Sequence, residues 1–160
     1  MTDAPEFEDT NFMLSALNAY GVLEDDSTKR WAKAFLIAPA IRVIFELSLL
    51  ALDKSCDEIH LPNIGVSAKH KENVSYVHRL FKNNKFQDYL QAGRIVFDTY
   101  QEAHSVIENT DFGESVEYSS LGSHKSMKDY DIDTIMRLSN DAVLFAMLCQ
   151  QYVQFKKQGV

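Results

Sequence analysis

The chain of 160 residues fits one domain, and 46% hydrophobic with 24% charged residues is the composition of an ordinary globular protein rather than a disordered one. Its formal net charge of −7 disfavours binding of nucleic acid or anionic membranes by the molecule as a whole. Cys56 and Cys149 are too few for a disulfide framework, and the start MTDAPEFEDT lacks the features of a secretory signal. We therefore expect a cytoplasmic protein.

The first residues are acidic and poor in apolar side chains. We expect residues 1–8 to form a mobile acidic arm and residues 9–158 to form a single helical-bundle domain. A first helix is predicted to begin near Asp9 or Thr10, because either side chain can cap its first turn. Gly21 ends that helix, and Ser27 is a candidate cap for the next one.

In the stretch from Trp31 to Leu52, WAKAFLIAPAIRVIFELSLLAL, every face from Ala34 onward carries apolar residues, apart from Arg42, Glu46 and Ser48. A helix of this kind is normally surrounded by other helices, so we predict that it is the central element. Pro39 costs about 3 kcal/mol inside a regular helix and predicts a kink, or a split into two helices near Ala38. Charges near the middle of the stretch make a membrane span costly.

Arg42 and Glu46 stand one helical turn apart in this apolar setting. Their spacing suits an ion pair within the helix. Because apolar residues crowd around them, both charges are expected to be partly buried and to need further partners.

Three more helices are predicted from apolar periodicity. They run from about Lys71 to Asn83, from Phe86 to Ile107 as one helix of roughly six turns, and from about Asp131 to Lys157. His104 falls on the apolar seam of the second of these. The sequence therefore predicts an all-α, single-domain bundle of about five helices around a central, kinked, apolar helix.

Charge is segregated along the chain. Between Lys69 and Arg94 the balance is +4, whereas from Asp98 to Asp133 it is −7. The basic segment supplies the candidate nucleic-acid contacts, Lys69, Lys71, Arg79, Lys82 and Lys85. The same residues are also explained as a solvated basic face.

Motifs for metal or cofactor binding are weak. The five histidines include no pair three or four residues apart, as zinc on a helix face usually needs. The DxDxD run from Asp129 to Asp133 has Thr134 and Asn140 where a calcium loop needs glycine and glutamate. Phosphate-binding glycine loops and nucleophile elbows are not found. We expect no metal and no cofactor.

The loop Tyr118 to Ser126, YSSLGSHKS, collects short polar side chains just before the last helix, where binding and catalytic groups often lie. Together with the central IRVIFELSLLAL and the later DIDTIMRLSNDAVLFAML, it resembles the HEPN class of small helical bundles. The specific part of this resemblance is Arg42, Glu46, Tyr118 and His124.

Active members of the HEPN class are metal-independent ribonucleases with an RxxxxH motif at a dimer cleft. The resemblance implies that His124 is the catalytic histidine, while Tyr118 stands where the arginine belongs. Tyrosine carries no positive charge at neutral pH, so Arg42 would have to supply the cation that stabilises the developing phosphorane. The alternative is that Arg42, Glu46, Tyr118 and His124 form a polar network that anchors a long loop.

Three functions follow as hypotheses. The first is a non-catalytic bundle, expected to be a homodimer, that binds a protein partner or RNA; the resemblance implies a setting in toxin–antitoxin, phage-defence or counter-defence systems. The second is a metal-independent endoribonuclease centred on His124. The third is an acidic inhibitor that presents the segment from Asp98 to Asp133 to a basic protein, as a nucleic-acid mimic does.

Overall fold

The computed structural model describes residues 5–12, 27–66, 69–93, 96–119 and 132–159, without the side chains of residues 27–36 and 132. Within these ranges the regular structure is entirely helical, which confirms the predicted all-α class. A 3₁₀ turn, Pro5–Phe7, leads into helical residues 8–12. The bounds of the longer helices are α1 Ser27–Ser55, α2 His70–Phe81, α3 Asn84–Gly93, α4 Tyr100–Asn109, α5 Phe112–Tyr118 and α6 Ile132–Lys157.

Helices α1 and α6 form the longest pairing among the described elements. The rings of Phe45 and Phe145 meet at 5.1 Å. Glu58, three residues beyond the end of α1, forms an ion pair at 3.1 Å with Lys156 near the end of α6, so the two helices run in the same direction. Helix α1 is continuous through Pro39, which rules out a split into two helices near Ala38.

Residues 5–12 lie along α6 in the opposite direction. Asn11 accepts a hydrogen bond from Gln150 at 3.2 Å, and Glu6 lies 3.9 Å from the ammonium of Lys157. Phe7 is completely buried in the core. Phe7, which the sequence assigns to the mobile acidic arm, is therefore packed into the folded domain.

Helices α3 and α4 occupy the range where periodicity predicts a single helix. Thr99 begins α4 by accepting a hydrogen bond from the backbone amide of Glu102 at 3.1 Å, which satisfies one free donor of the first turn. Val96, just before this cap, has φ of 75°, which is incompatible with a continuous right-handed helix. The chain therefore bends between the two helices.

Helix α2 pairs with α5 in antiparallel fashion. Lys71 contacts Glu117 at one end, and a Cβ built at Gly113 would lie 2.5 Å from Oγ of Ser75 in the middle. Beneath this pair lies an aromatic core that joins α2 to α6: the ring of Phe81 packs against Phe145 at 5.7 Å. Among the described residues, none of the helices has both the length and the apolar character needed to cross a membrane.

Candidate functional site

A buried histidine brings Arg42 and Glu46 to one point. Nε of Arg42 lies 3.4 Å from Nδ1 of His70, and Oε2 of Glu46 lies 3.9 Å from its Nε2. The His70 side chain is only 4% exposed, whereas that of Glu46 is 33% exposed. The two charges that the sequence singles out on α1 thus share a partner at the first residue of α2.

The bonds of the His70 ring define its tautomer. Nε–H of Arg42 can donate only to a nitrogen with a free lone pair, so Nδ1 carries no proton. Nε2 lies 2.8 Å from the carbonyl oxygen of Ile64 and donates its proton there. The ring is therefore neutral, and both of its nitrogens are hydrogen-bonded inside the protein.

This arrangement fixes the connection between α1 and α2. Besides the His70 bonds, the amide of Leu61 donates to Asp53 at 2.9 Å, and the side chain of Asn73 donates to the carbonyl of Pro62 at 3.1 Å. The segment is irregular, so its backbone groups lack the hydrogen-bond partners that a helix supplies. Each of these bonds satisfies one such group. Arg42 and Glu46 therefore contribute to a network that anchors this segment.

Tyr118, the third residue of the predicted set, ends α5 and is half-buried. The guanidinium of Arg137 lies 6.0 Å from the centre of its ring, within the range of a cation–π contact. Arg137 stands on α6. His124, the fourth residue, lies outside the described residues.

A second polar group, absent from the sequence prediction, lies between α5 and α6. The completely buried hydroxyl of Ser115 donates to Oδ2 of Asp141 at 2.5 Å. Burial raises the pKa of Asp141 above its ordinary value, while the hydrogen bond from Ser115 and the charge of Arg137 act in the opposite direction. Asp141 and Arg137 stand one helical turn apart on α6.

The predicted nucleic-acid contacts mostly have acidic partners. Lys69 pairs with Glu72 at 3.2 Å, Lys71 with Glu117 at 2.7 Å and Lys82 with Glu108 at 3.3 Å. These pairs reduce the positive charge that the segment offers to a phosphate backbone.

Arg79 and Lys85 differ from the other three cations. The guanidinium of Arg79 lies 5.8 Å from the centre of the Tyr76 ring. Within the described ranges neither cation forms an ion pair, and Lys85 is exposed.

His104 is exposed on α4 rather than enclosed by an apolar seam. Its Nδ1 lies 3.1 Å from the side-chain oxygen of Gln87, and its ring stacks on Tyr100 at 6.0 Å. His78, on α2, is half-buried and donates from Nε2 to the carbonyl of Ile107 at 2.5 Å. Both histidines join neighbouring helices.

The two thiols are poorly suited to chemistry. Cys149 is completely buried, and burial raises its pKa well above the ordinary value. Burial also raises the pKa of Cys56. Thiolates are therefore disfavoured at both positions. In the part of the chain that the structure describes, no three His, Cys, Asp or Glu side chains are grouped so that they would hold a metal ion.

No family model matches the sequence, and neither the curated proteins nor the solved structures contain a match.

Proposed function

We propose that this protein acts without catalysis, by binding a protein partner that presents a basic surface. The observation that supports the proposal most directly is the position of Arg42. Its Nε–H is directed at the buried Nδ1 of His70, where it helps to hold the segment between α1 and α2. A guanidinium used in this way serves the fold, as structural networks commonly do.

Charge on α4 and α5 indicates the kind of partner. Residues 96–119 contain six acidic side chains and no lysine or arginine. Lys71 and Lys82 each neutralise one of the six, so that within the described ranges four remain without a lysine partner. A field of one sign on one part of the surface favours and steers a partner of the opposite sign.

The resemblance to the HEPN class supplies the proposed setting, which is a toxin–antitoxin, phage-defence or counter-defence system, and the proposed homodimer. Light scattering coupled to gel filtration tests the dimer directly. A mass near twice 18.3 kDa supports it, and a mass near 18.3 kDa rejects it.

A charge-reversal experiment tests the acidic surface. Glu114 is exposed, and its backbone amide donates to the side chain of Asp111, which caps α5. Because the Glu114 carboxylate takes no part in this bond, Glu114→Lys leaves the cap intact. The matched control is Glu72→Lys on α2. With poly-L-lysine as the probe, we expect the Glu114 variant to bind several-fold more weakly than the control, with a difference that shrinks as salt rises. Equal binding of both variants would reject the surface.

Ribonuclease activity is the second candidate, and the contact between Tyr118 and Arg137 favours it. The resemblance places tyrosine where an arginine belongs, and the structure has a guanidinium 6.0 Å from that ring. Arg137 would supply the cation that phosphoryl transfer needs, and His124 would accept the proton of the 2′-hydroxyl.

RNA cleavage in EDTA separates the two functions. Under our proposal the wild-type protein does not cleave labelled RNA, and binding of RNA is weak even at about 50 mM salt, where phosphate contacts are strongest. Cleavage that disappears in both His124→Ala and Arg137→Ala, but persists in Arg79→Ala, would establish the ribonuclease instead.

A further inference from the structure

We propose that His70 is a proton-sensitive latch, which holds residues 64–66 of the segment between α1 and α2 while its ring is neutral and loosens them when the ring is protonated. The inference is independent of the proposed function, because it concerns only the connection between α1 and α2.

The neutral ring joins three parts of the fold. It stands on α2, it accepts a hydrogen bond from Arg42 of α1, and it donates one to the carbonyl of Ile64 in the connecting segment. With a side chain that is 4% exposed, water has little access to replace either bond.

A second proton can add only at Nδ1, since Nε2 already carries one. Nδ1–H would then face Nε–H of Arg42, so that two donors and two positive charges oppose each other. The bond from Arg42 is lost, and the cationic ring is attracted to the Glu46 carboxylate, which lies 3.9 Å from Nε2. Because the one Nε2 proton cannot serve both acceptors, this attraction competes with the bond to the carbonyl of Ile64.

Among the described residues, Arg42 and Glu46 are the charged groups that contact the ring. The flanking cations are directed elsewhere: Lys69, just before α2, pairs with Glu72, and Lys71 on α2 pairs with Glu117. The connecting segment offers the ring a carbonyl group. Arg42 and Glu46 therefore determine how the fold responds to the added charge.

The effect is confined to the later part of the segment. Residues 61 and 62 have separate attachments, through Asp53 and Asn73. Ile64 is bonded to the latch itself, and the next residues include Val66, whose side chain is 49% exposed. Protonation should therefore loosen residues 64–66, while the amide of Leu61, which is bonded to Asp53, stays protected.

The experiment is an NMR titration of the full chain, which follows the His70 ring, the Arg42 Nε–H signal and the protection of the amides of residues 64–66 against hydrogen exchange. We expect protection of these amides, corrected for intrinsic exchange at each pH, to fall roughly tenfold as the His70 ring gains its proton. The Arg42 signal should shift with the same midpoint.

Two substitutions make the test specific. His70→Gln retains an acceptor for Arg42 and a donor for Ile64 but cannot titrate, so the change in protection should disappear. His60→Gln is the matched control, because His60 is an exposed histidine on the same segment, and it should behave like the wild type. Unchanged protection in the wild type, or the same loss in His70→Gln, would overturn the proposal.

A failure of His70→Gln to fold leaves the test intact, because the wild-type titration decides by itself. Coincident midpoints for the His70 ring and the amides of residues 64–66 support the latch. Midpoints that follow His60 or His78 instead reject it.

Discussion

The hydroxyl of Ser115 donates to the carboxylate of Asp141 across 2.5 Å and joins α5 to α6 in the interior. Burial favours the protonated form of this carboxyl, whereas the Ser115 hydroxyl and the Arg137 charge favour the ionised form. Because burial has the larger effect, the pKa is raised. Ionisation of this half-buried carboxyl therefore costs the folded protein stability.

Asp141→Asn should equal or exceed the wild type in free energy of unfolding at pH 7, because the amide oxygen still accepts from Ser115 and no half-buried carboxyl has to ionise. Because the pKa of Asp141 is raised in the folded state, this group stabilises the protein at pH values below its ordinary pKa of 3.8. That contribution is lost as the pH rises through the pKa of the folded state. The advantage of the Asn variant over the wild type should therefore grow with pH over this range. Urea unfolding at pH 4 and pH 7 measures it.

Asp141→Ala is the control for the hydrogen bond. This variant leaves the completely buried hydroxyl of Ser115 without its acceptor, which should cost about 1 to 3 kcal/mol. Equal stability of the Ala and Asn variants would show that the bond does not contribute.

His78 provides the second prediction. Burial lowers its pKa, assisted by the charge of Lys82 and opposed by the hydrogen bond to Ile107. The unfolded chain then binds the proton more readily than the folded chain, so the free energy of unfolding should fall as pH decreases below the ordinary value of 6.5 towards the lower folded value. His78→Gln keeps a donor for Ile107 and should weaken this pH dependence. A pH dependence that is the same in the wild type and in His78→Gln would contradict this prediction.

The helices themselves were largely predictable. Apolar periodicity placed α2 and α6 close to their observed bounds, because each buries one continuous side against the core. The bend between α3 and α4 was not predicted, since Phe97 is buried although it belongs to neither helix. Apolar periodicity indicates which side chains are buried, and here the buried positions continue across an interruption of the helix.

The polar network was only half predictable. Arg42 and Glu46 were found because they stand one turn apart on an apolar helix. His70, which completes the network, lies 28 residues from Arg42, and no local spacing rule connects them. Ser115 and Asp141 were missed for the same reason, because a serine and an aspartate 26 residues apart carry no pattern.

Gly113 marks a close approach of α2 and α5. A Cβ at this position would lie 2.5 Å from Oγ of Ser75, so Gly113→Ala should destabilise the protein by about 1 to 3 kcal/mol through overpacking. The double variant Gly113→Ala with Ser75→Ala removes the obstructing oxygen and should recover most of the loss. Urea unfolding of the two single variants and the double variant gives the coupling energy. Strict additivity would contradict a direct clash.

Pro39 provides the last prediction. It lies inside a continuous helix, where it removes the bond to the carbonyl of Phe35 and crowds the preceding turn. Pro39→Ala restores that amide. The gain in stability is limited because the unfolded chain also becomes more flexible, which lowers the free energy of unfolding by about 0.4 to 1 kcal/mol. We expect a net increase in the free energy of unfolding and a higher melting temperature.

The neighbouring Ala40 supplies the matched control, since Ala40→Pro introduces the same defect one residue later and should cost about 3 kcal/mol. If Pro39→Ala instead lowers the melting temperature, α1 needs the bend that proline imposes in order to lie along α6. The contact that would then be lost is the pairing of Phe45 with Phe145, which stands less than two turns beyond the proline. A double variant of Pro39→Ala with Phe145→Leu separates these cases: non-additive losses would locate the effect at that contact, and additive losses would place it within α1 itself.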